Sequence, residues 1–273
     1  MSGTLNLKTG NDIAERKISS SNQPALKGRS FRKDDMKDLA DALVASGALA
    51  SRELFDMWHT RLFADPVVGS WDTWLDPEWR KKPRDSFESI ADFYDSDAFV
   101  CFMAGVLPGW PAGHSVPFAN LPLLGARVLD FGCGHGRDGM YCLNDGAHVT
   151  FADVSPRLLM GVAAFCEAND FDVVTQRITE EVPTLGTQQY DFVITCDALE
   201  HVQQPVAVLQ RLVVSMKIGG YLWMTVTFNG HVMAPYHLPH NFHLGVEATW
   251  REVCVDIGLQ PVGGRDRVYR RVR

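Results

Sequence analysis

A short apolar strand that runs into three alternating glycines constrains this chain more than any other feature. The stretch reads VLDFGCGHG over residues 128–136, and an apolar helical pattern follows it. Glycine allows the backbone to turn sharply and allows a ligand to lie directly against it. Asp153 ends the next apolar strand, 17 residues after Gly136, which is close to the spacing of an acid that binds ribose hydroxyls. This combination predicts a nucleoside-containing ligand at a strand–turn–helix junction.

The sequence beyond the glycines alternates between strand and helix patterns. Strands are predicted over residues 126–131, 147–153, 171–178, 190–196 and 221–228. Helices are predicted to begin at Ser155-Pro156 and at Pro205, because a capping serine and a first-turn proline favour a helix start. The second of these helices is predicted to stop at Gly219-Gly220. A helix at about 246–257 and two short strands end the chain. This order predicts an α/β fold, a mainly parallel sheet with helices on both faces.

Three segments of different composition divide the chain. Residues 1–30 are polar, which predicts a flexible tail. Residues 31–118 carry helical patterns and five of the seven tryptophans, which predicts a helical, aromatic-rich lid that must bury these rings. Residues 119–273 hold the alternating strands and helices and form the core. Since ligands bind at the carboxyl ends of strands in open α/β sheets, we expect the lid to cover that edge.

Composition and charge narrow the classes of function. The formal net charge of −7 argues against a broad basic face for nucleic acid. No apolar run approaches the roughly 18 residues of a membrane helix, and the first residues lack the apolar core of a signal peptide. The six cysteines include no CxxC pair, which predicts reduced, buried thiols. We therefore expect a cytoplasmic protein without a membrane partner.

The acid two residues before the first glycine, Asp130, suits a ligand that has an amino group and no phosphates. Here the chain resembles the class I S-adenosylmethionine-dependent methyltransferase family, of the small-molecule type. VTFADVSP resembles its second strand, YDFVITCDALEHVQQP its fourth strand with a Leu-Glu-His-Val segment, and LVVSMKIGGYLWMTVTFN its next helix and fifth strand. The resemblance covers about residues 126–264. It implies a Rossmann-like seven-stranded sheet, S-adenosyl-L-methionine as cofactor, S-adenosyl-L-homocysteine as product and a small-molecule substrate.

The resemblance also implies which residues bind the cofactor. Some of these residues surround the methionine part and the ribose of the cofactor, and others close the pocket. They are Asp130, Gly132, Cys133, Gly134, Asp153, Val154, Cys196 and Asp197. The family often has an acid after the third strand that contacts adenine, whereas this chain reads Gln-Arg-Ile-Thr over residues 176–179. Adenine is therefore assigned to Ile178 and Thr179, through packing and backbone contacts.

Methyl transfer is an in-line displacement from a sulfonium, so the enzyme must align the reacting atoms and remove a proton from an acceptor that carries one. Histidine titrates near neutral pH, and residues 231–243 form a histidine-rich loop with His231 at its start. We expect the general base to be one of His201, His237 and His240, without a ranking. Tyr94 and His243 are the candidate substrate contacts. Oxygen, nitrogen and carbon all stay open as the acceptor atom.

A divalent metal is a second interpretation of the same region. If Asp197 begins a helix, then Asp197, Glu200 and His201 fall on one face, and such a set can bind a divalent ion. His240 would complete it. Some methyltransferases of small molecules and of RNA 3′ ends have a similar segment and use a metal there. We favour a site without metal, in which Leu-Glu-His-Val is ordinary family sequence, and keep the metal-dependent enzyme as an alternative.

Other classes of protein fit parts of the sequence. An NAD(P)-dependent Rossmann oxidoreductase shares the strand–turn–helix junction, but it prefers Gly-x-Gly-x-x-Gly and this chain has Gly-x-Gly-x-Gly at residues 132–136. A non-catalytic partner that binds the cofactor for another subunit would keep the same pocket. An RNA methyltransferase is a lesser option, because the acidic charge opposes phosphate contacts. Monomer and homodimer both stay open.

Overall fold

The computed structural model describes residues 41–63, 75, 77–106, 121–228, 236–263 and 267–273. The predicted tail, His231 and three parts of the predicted lid, residues 31–40, 64–74 and 107–118, lie outside these residues. All six cysteines lie within them; five are buried and Cys196 is half-buried. Across the described ranges, no helix is long and apolar enough to cross a membrane.

Seven strands form one sheet. They are β1 (Arg127–Phe131), β2 (His148–Asp153), β3 (Val174–Arg177), β4 (Tyr190–Cys196), β5 (Met216–Thr225), β6 (Leu259–Pro261) and β7 (Val268–Arg271). Their order is β3-β2-β1-β4-β5-β7-β6. The first five strands pair in parallel, and β7 is antiparallel to β5 and β6. The predicted Rossmann-like sheet is confirmed, and its order reverses at β1, directly before the glycines.

Helices cover both faces of this sheet. They are α1 (Arg52–Phe63), α2 (Phe87–Tyr94), α3 (Asp97–Val106), α4 (Arg137–Asn144), α5 (Pro156–Ala168), α6 (Pro205–Ser215) and α7 (Glu247–Asp256). Side chains of α4 and α5 pack into one hydrophobic cluster with Phe151, and side chains of α6 and α7 pack into another with Val193. Burial of these two apolar faces against the sheet is the main source of stability in a fold of this kind.

The start of α5 fixes the end of β2. The Ser155 hydroxyl accepts a hydrogen bond from the Leu158 amide over 3.2 Å, and Pro156 occupies the first turn. This confirms the predicted helix start, since a capping serine followed by a proline is pre-organised for it. Asp153 consequently lies at the edge of the sheet, two residues before a helix.

Two strand boundaries differ from the predictions. The sequence predicts that α6 continues to Gly219-Gly220, but α6 ends at Ser215 and β5 begins at once. The reason is an irregularity in the pairing of β4 with β5, where the register shifts between Tyr190 and Phe192. The two glycines lie in this bulge, which lets the strand resume its pairing. β3 is also shorter than the predicted 171–178.

Residues 77–106, called the cap below, cover the edge of the sheet where β1, β2 and β4 end. Within the cap, Val100 joins the same hydrophobic cluster as α4 and α5. Trp79, Ile90 and Phe93 form a smaller cluster with Tyr236, which follows β5 in the chain. The cap therefore extends the core on one side and contacts the loop after β5 on the other.

Candidate functional site

The glycine-rich turn after β1 has a backbone conformation that requires glycine. Gly132, Gly134 and Gly136 have φ values of 66°, 54° and 79°, which residues with a Cβ rarely adopt. A Cβ on Gly132 would lie 2.5 Å from the Cβ of Ala198, on the segment that follows β4. The turn therefore packs directly against that segment.

Two buried carboxylates hold the turn in place. Asp130 accepts a hydrogen bond from the Gly139 amide over 2.9 Å. Asp153 accepts one from the Gly134 amide over 2.8 Å and one from the Ser155 amide over 2.9 Å. Burial raises the pKa of Asp153 to about 6, and it raises the pKa of Asp130 well above its usual range. Each carboxylate oxygen has a second lone pair that a ligand can use.

A cavity of about 480 Å³ opens above the turn, within the size range of small-molecule and cofactor pockets. It follows the carboxyl ends of four neighbouring strands, from β3 through β2 and β1 to β4. Nine of the residues predicted to bind the cofactor line it, namely Asp130, Gly132, Cys133, Gly134, Asp153, Val154, Ile178, Cys196 and Asp197. The predicted catalytic residues His201 and His237 and the predicted substrate contact Tyr94 line it too.

Three predicted site residues lie away from this cavity. Thr179 is exposed, next to the buried Ile178. His240 is exposed, and its Nε2 lies 3.0 Å from the carbonyl oxygen of Gln203. His243 is exposed, with Nδ1 2.8 Å from the carbonyl oxygen of His240. Both histidines are exposed because the 3₁₀ helix Pro239–Gly245 carries their side chains on its outer side.

The expected helical face of Asp197, Glu200 and His201 does not form. Asp197 has a φ of 50°, so the chain leaves β4 in a left-handed turn, and only the short 3₁₀ helix Leu199–His201 follows. The Asp197 carboxylate accepts a hydrogen bond from the Thr225 hydroxyl over 3.0 Å. The predicted metal set of Asp197, Glu200, His201 and His240 is therefore not brought together as a group.

A different trio converges instead. Glu200, His201 and His237 each offer a ligand atom within 4.8 Å of the others. The Glu200 side chain is 1% exposed. Its Oε1 accepts a hydrogen bond from the Thr227 amide over 3.1 Å and lies 3.8 Å from His237 Nε2. Its Oε2 is buried and has no hydrogen-bond partner among the described residues. We call these three side chains the Glu-His-His cluster.

Burial controls the protonation of this cluster. It raises the pKa of Glu200 to about 8, with a smaller contribution from the Asp197 charge. It lowers the pKa of His201 to about 3, with His237 as the second cause. His201 Nδ1 lies 3.1 Å from the carbonyl oxygen of Tyr236, and a carbonyl can only accept, so Nδ1 carries the proton in the neutral ring. The lone pair of His201 is thus on Nε2.

Aromatic side chains from the cap form the opposite wall of the cavity. They are Phe87, Tyr94, Phe99 and Phe102. The Tyr94 ring lies 5.7 Å from the His201 ring, centroid to centroid, and its buried hydroxyl has no hydrogen-bond partner within the described part of the chain. Flat apolar walls beside a polar cluster suit a small molecule with an apolar body and a polar end.

Hydrogen bonds and an ion pair connect the cap to the core beside the cavity, and we call this group of contacts the cap–core latch. The Asp95 carboxylate, at the end of α2, accepts a hydrogen bond from the Ser155 hydroxyl over 2.6 Å and from the Arg157 amide over 3.3 Å. The Arg157 guanidinium donates back to the Asp95 carbonyl over 2.9 Å and also pairs with Asp97. The cap is therefore held at the residues that directly follow Asp153.

The part of the sequence that forms this site matches a known protein family. Residues 129–222 match the sequence model of a family described as a methyltransferase domain, and that span runs from β1 into β5. Residues 129–222 therefore form a methyltransferase domain. Its glycine turn, both acids and the segment after β4 all lie inside the matched span.

Curated relatives resemble this methyltransferase domain in part of their length. A ubiquinone biosynthesis O-methyltransferase of Xylella fastidiosa (strain 9a5c) is 36% identical over 108 residues, which is 39% of this chain and 44% of the relative. A protein of the same name from Cereibacter sphaeroides (strain ATCC 17029 / ATH 2.4.9) is 31% identical over 104 residues, 38% of this chain and 42% of the relative. The chain thus spans less than half the length of these relatives that it matches.

Solved structures share the fold of the methyltransferase domain. Phosphoethanolamine N-methyltransferase 2 of Haemonchus contortus, in complex with phosphomonomethylethanolamine and S-adenosylhomocysteine, has a TM-score of 0.51 at 19% identity. The match covers 64% of this chain and 44% of that chain. At this level of identity, the likeness supports the architecture of the sheet and its helices.

The sequence interpretation misses several residues of the methyltransferase domain that line the cavity. His135, Arg137 and Asp138 are among them, and their position directly at the glycine turn is a signal that could have identified them. The approach of His237 to Glu200 has no such signal, because the two residues belong to different loops.

Proposed function

We propose that this chain is an S-adenosylmethionine-dependent methyltransferase that methylates a hydroxyl group of a small molecule with an apolar body. The observation that carries the proposal is one continuous cavity, which joins the glycine turn and Asp153 to the Glu-His-His cluster beneath the aromatic wall. Such a cavity can hold a nucleoside cofactor at one end and an acceptor at the other. The name of the curated relatives, an O-methyltransferase, supports oxygen as the acceptor atom.

The reaction proposed is an in-line displacement. The acceptor oxygen forms a bond to the methyl carbon, the bond from carbon to sulfur breaks, and its electron pair stays on sulfur. The protein contributes by alignment and by exclusion of water, because the sulfonium is already an activated donor. The glycine turn allows close approach of the cofactor, and the cap wall covers the acceptor side.

The acceptor hydroxyl loses its proton to the Glu-His-His cluster in this proposal. His237, with its Nε2 3.8 Å from a Glu200 oxygen, is the base that we favour among the predicted histidines. Burial keeps Glu200 mainly protonated near pH 7, but an imidazolium beside it favours ionisation of this carboxyl, and the resulting ion pair stabilises the protonated base. His201, whose pKa is lowered to about 3, stays neutral at physiological pH and is better suited to accept a hydrogen bond. His240 is exposed and hydrogen-bonded elsewhere, which leaves it without a role in proton transfer.

A second candidate is a metal-dependent form of the same reaction. The converging ligand atoms of Glu200, His201 and His237 favour it, together with the unpartnered Oε2 of Glu200. The hydrogen bond from His201 Nδ1 to the Tyr236 carbonyl leaves Nε2 available, which is how metal-binding histidines are usually oriented. Two imidazoles and a carboxylate fit a divalent transition metal. A bound ion would act as a Lewis acid and lower the pKa of the acceptor hydroxyl.

One assay tests the proposal and separates its two forms. Transfer of a radiolabelled methyl group from S-adenosylmethionine is measured against a panel of hydroxylated aromatic compounds. His237→Ala is compared with His240→Ala as a matched control from the same loop. Loss of transfer only in His237→Ala supports the proposal, and equal activity of the two variants contradicts it. Activity that persists in EDTA supports the histidine base; activity that is lost in EDTA and restored by a divalent ion supports the metal.

A further inference from the structure

The hydroxyl of Tyr94 is a buried polar group that the proposed proton transfer does not use. Tyr94 is the last residue of α2 and lines the cavity. Its hydroxyl has no hydrogen-bond partner among the described residues. Buried polar groups are almost always hydrogen-bonded, because an unpaired one destabilises the fold. In the wall of a cavity, the missing partner can be supplied by a ligand.

Packing on several sides fixes the position of this hydroxyl. The Tyr94 ring meets the Phe99 ring edge to face, with the centroids 4.7 Å apart and the planes at 87°. The Phe93 ring lies 5.2 Å away in a similar arrangement. The next residue, Asp95, is held by Ser155 through the cap–core latch. The hydroxyl is therefore presented to the cavity from a fixed place on the cap.

The hydroxyl lies at the end of the cavity that we assign to the acceptor. The Tyr94 ring is 5.7 Å from the His201 ring, between centroids. Burial raises the pKa of Tyr94 well above its usual range, and the Glu200 charge raises it further, by more than the Asp153 charge does. The hydroxyl thus lies beside the Glu-His-His cluster. It also stays protonated at physiological pH, so it can donate a hydrogen bond.

Two different hydrogen-bonding requirements meet at this end of the cavity. The Glu-His-His cluster takes up the proton of the acceptor hydroxyl, whereas Tyr94 has a hydrogen to donate. A hydrogen bond donated to the attacking oxygen would stabilise the electron pair that must form the bond to the methyl carbon, and so would favour the ground state over the transition state. The partner of Tyr94 is therefore a second atom of the substrate.

We propose that Tyr94 is a specificity-determining residue, which donates a hydrogen bond to an acceptor atom next to the hydroxyl that is methylated. The proposal rests on the proposed function. It narrows the substrate to compounds that carry an oxygen or nitrogen acceptor beside this hydroxyl, on an apolar body that fits between Phe99 and Phe102. Asp95 is a positioning residue in this proposal, because its hydrogen bonds hold the end of α2 in place.

Methyl transfer to two probes of matched size tests the proposal. 2-Methoxyphenol carries an oxygen beside the ring carbon next to its hydroxyl, and 2-ethylphenol carries a methylene group there. In Tyr94→Phe, the ratio of kcat/KM for 2-methoxyphenol to kcat/KM for 2-ethylphenol should fall by about fivefold. Asp95→Ala should lower the same ratio, and should lower it no further when it is combined with Tyr94→Phe.

Two further measurements need no acceptor. Tyr94→Phe should unfold at a higher urea concentration than the unaltered protein, since it removes an unpaired buried hydroxyl and keeps the ring. Its affinity for S-adenosylhomocysteine, measured by calorimetry, should change by less than about twofold. Tyr221→Phe is the matched control, because its half-buried ring stacks on Phe192 and lies outside the cavity lining. It should leave the probe ratio and the cofactor affinity unchanged.

The outcomes separate a substrate contact from the other roles of a buried tyrosine. An unchanged probe ratio in Tyr94→Phe, or an equal loss of transfer to both probes, would overturn the assignment. Lower stability of Tyr94→Phe would assign the hydroxyl to the fold, and clearly weaker binding of S-adenosylhomocysteine would assign it to the cofactor; either result overturns the assignment too. Binding of S-adenosylhomocysteine without methyl transfer to any hydroxylated compound would instead overturn the proposed function.

Discussion

The carboxylate of Asp153 accepts a hydrogen bond from the backbone amide of Gly134 over 2.8 Å. Two motifs that lie 19 residues apart in the chain are therefore one physical unit. The acid at the end of β2, expected to bind ribose, also holds the glycine turn in its ligand-binding shape. Because Asp153 is 6% exposed, loss of its charge affects both the turn and the bound cofactor.

Asp153→Asn should lower the affinity for S-adenosylhomocysteine by at least about tenfold, or roughly 1.4 kcal/mol. The amide side chain keeps one acceptor oxygen and replaces the other with a donor, so either the turn or the ribose loses a hydrogen bond. Titration calorimetry measures the effect. Asp172→Asn, at an exposed position before β3, is the control, and an equal affinity of both variants would remove Asp153 from the cofactor site.

Gly132→Ala should cost more stability than Gly125→Ala. Both glycines have a positive φ, 66° and 71°, so both substitutions carry the same torsional strain of about 1 kcal/mol. A Cβ at position 132 would lie 2.5 Å from Ala198, whereas a Cβ at 125 meets nothing within 4 Å. Urea unfolding should therefore give a further loss of about 1 kcal/mol or more at 132. Equal losses would show that the contact between the turn and the segment after β4 is not tight.

Asp95→Ala should loosen the cap and leave the sheet intact. The substitution removes hydrogen bonds to Ser155 and Arg157, and a bond to a charged group typically contributes about 1.5–3 kcal/mol. Hydrogen exchange should accelerate in α2 and α3 and stay unchanged in β1. Asp92→Ala is the matched control, since its ion pair with Lys82 is exposed on both sides and contributes little. Hydrogen exchange that accelerates uniformly over the whole chain would contradict a local role of the cap–core latch.

Glu200→Gln should remove a loss of stability that grows as the pH rises from about 4.5 to 8. The pKa of Glu200 is raised to about 8 in the folded protein, so the folded state holds a proton that the unfolded state releases above about pH 4.5. Burial of Glu200 therefore destabilises the fold increasingly as the pH rises from about 4.5 to 8. In EDTA, the variant should gain about 3 kcal/mol on the unaltered protein between pH 5 and pH 8, as an order of magnitude.

Urea unfolding at several pH values measures this gain. Burial of His201 has the opposite pH dependence. Its pKa of about 3 means that only the unfolded state takes up a proton just below pH 6.5, so the fold loses stability as the pH falls from about 6.5. The contribution of Glu200 is thus clearest between pH 6.5 and pH 8. Parallel stability curves for the two proteins in that window would contradict the buried, unpaired carboxyl.

The parts of the fold that the sequence predicts well depend on local patterns. β1 and β4 are nearly continuous apolar runs, because parallel strands are buried on both faces, and their predicted spans agree closely with the structure. The start of α5 is fixed by Ser155 and Pro156 alone. The end of α6 is mispredicted, because Gly219-Gly220 is a strong stop signal for a helix and equally a place for a bulge in a strand.

Some residues of the candidate site can be identified from local sequence patterns, and others cannot. The glycine turn and Asp153 are recognisable because their spacing along the chain is itself the signal. The Glu-His-His cluster depends on the left-handed conformation of Asp197 and on the course of the chain after β5. No periodicity in the sequence distinguishes the buried His237 from the exposed His240, because that choice is made by tertiary packing against Glu200.

Titration of the unaltered protein with S-adenosylhomocysteine, and separately with NAD⁺ and NADP⁺, distinguishes a methyltransferase site from a dinucleotide site. We expect saturable binding of one S-adenosylhomocysteine per chain, with no heat from either dinucleotide. Binding of a dinucleotide without binding of S-adenosylhomocysteine would contradict it.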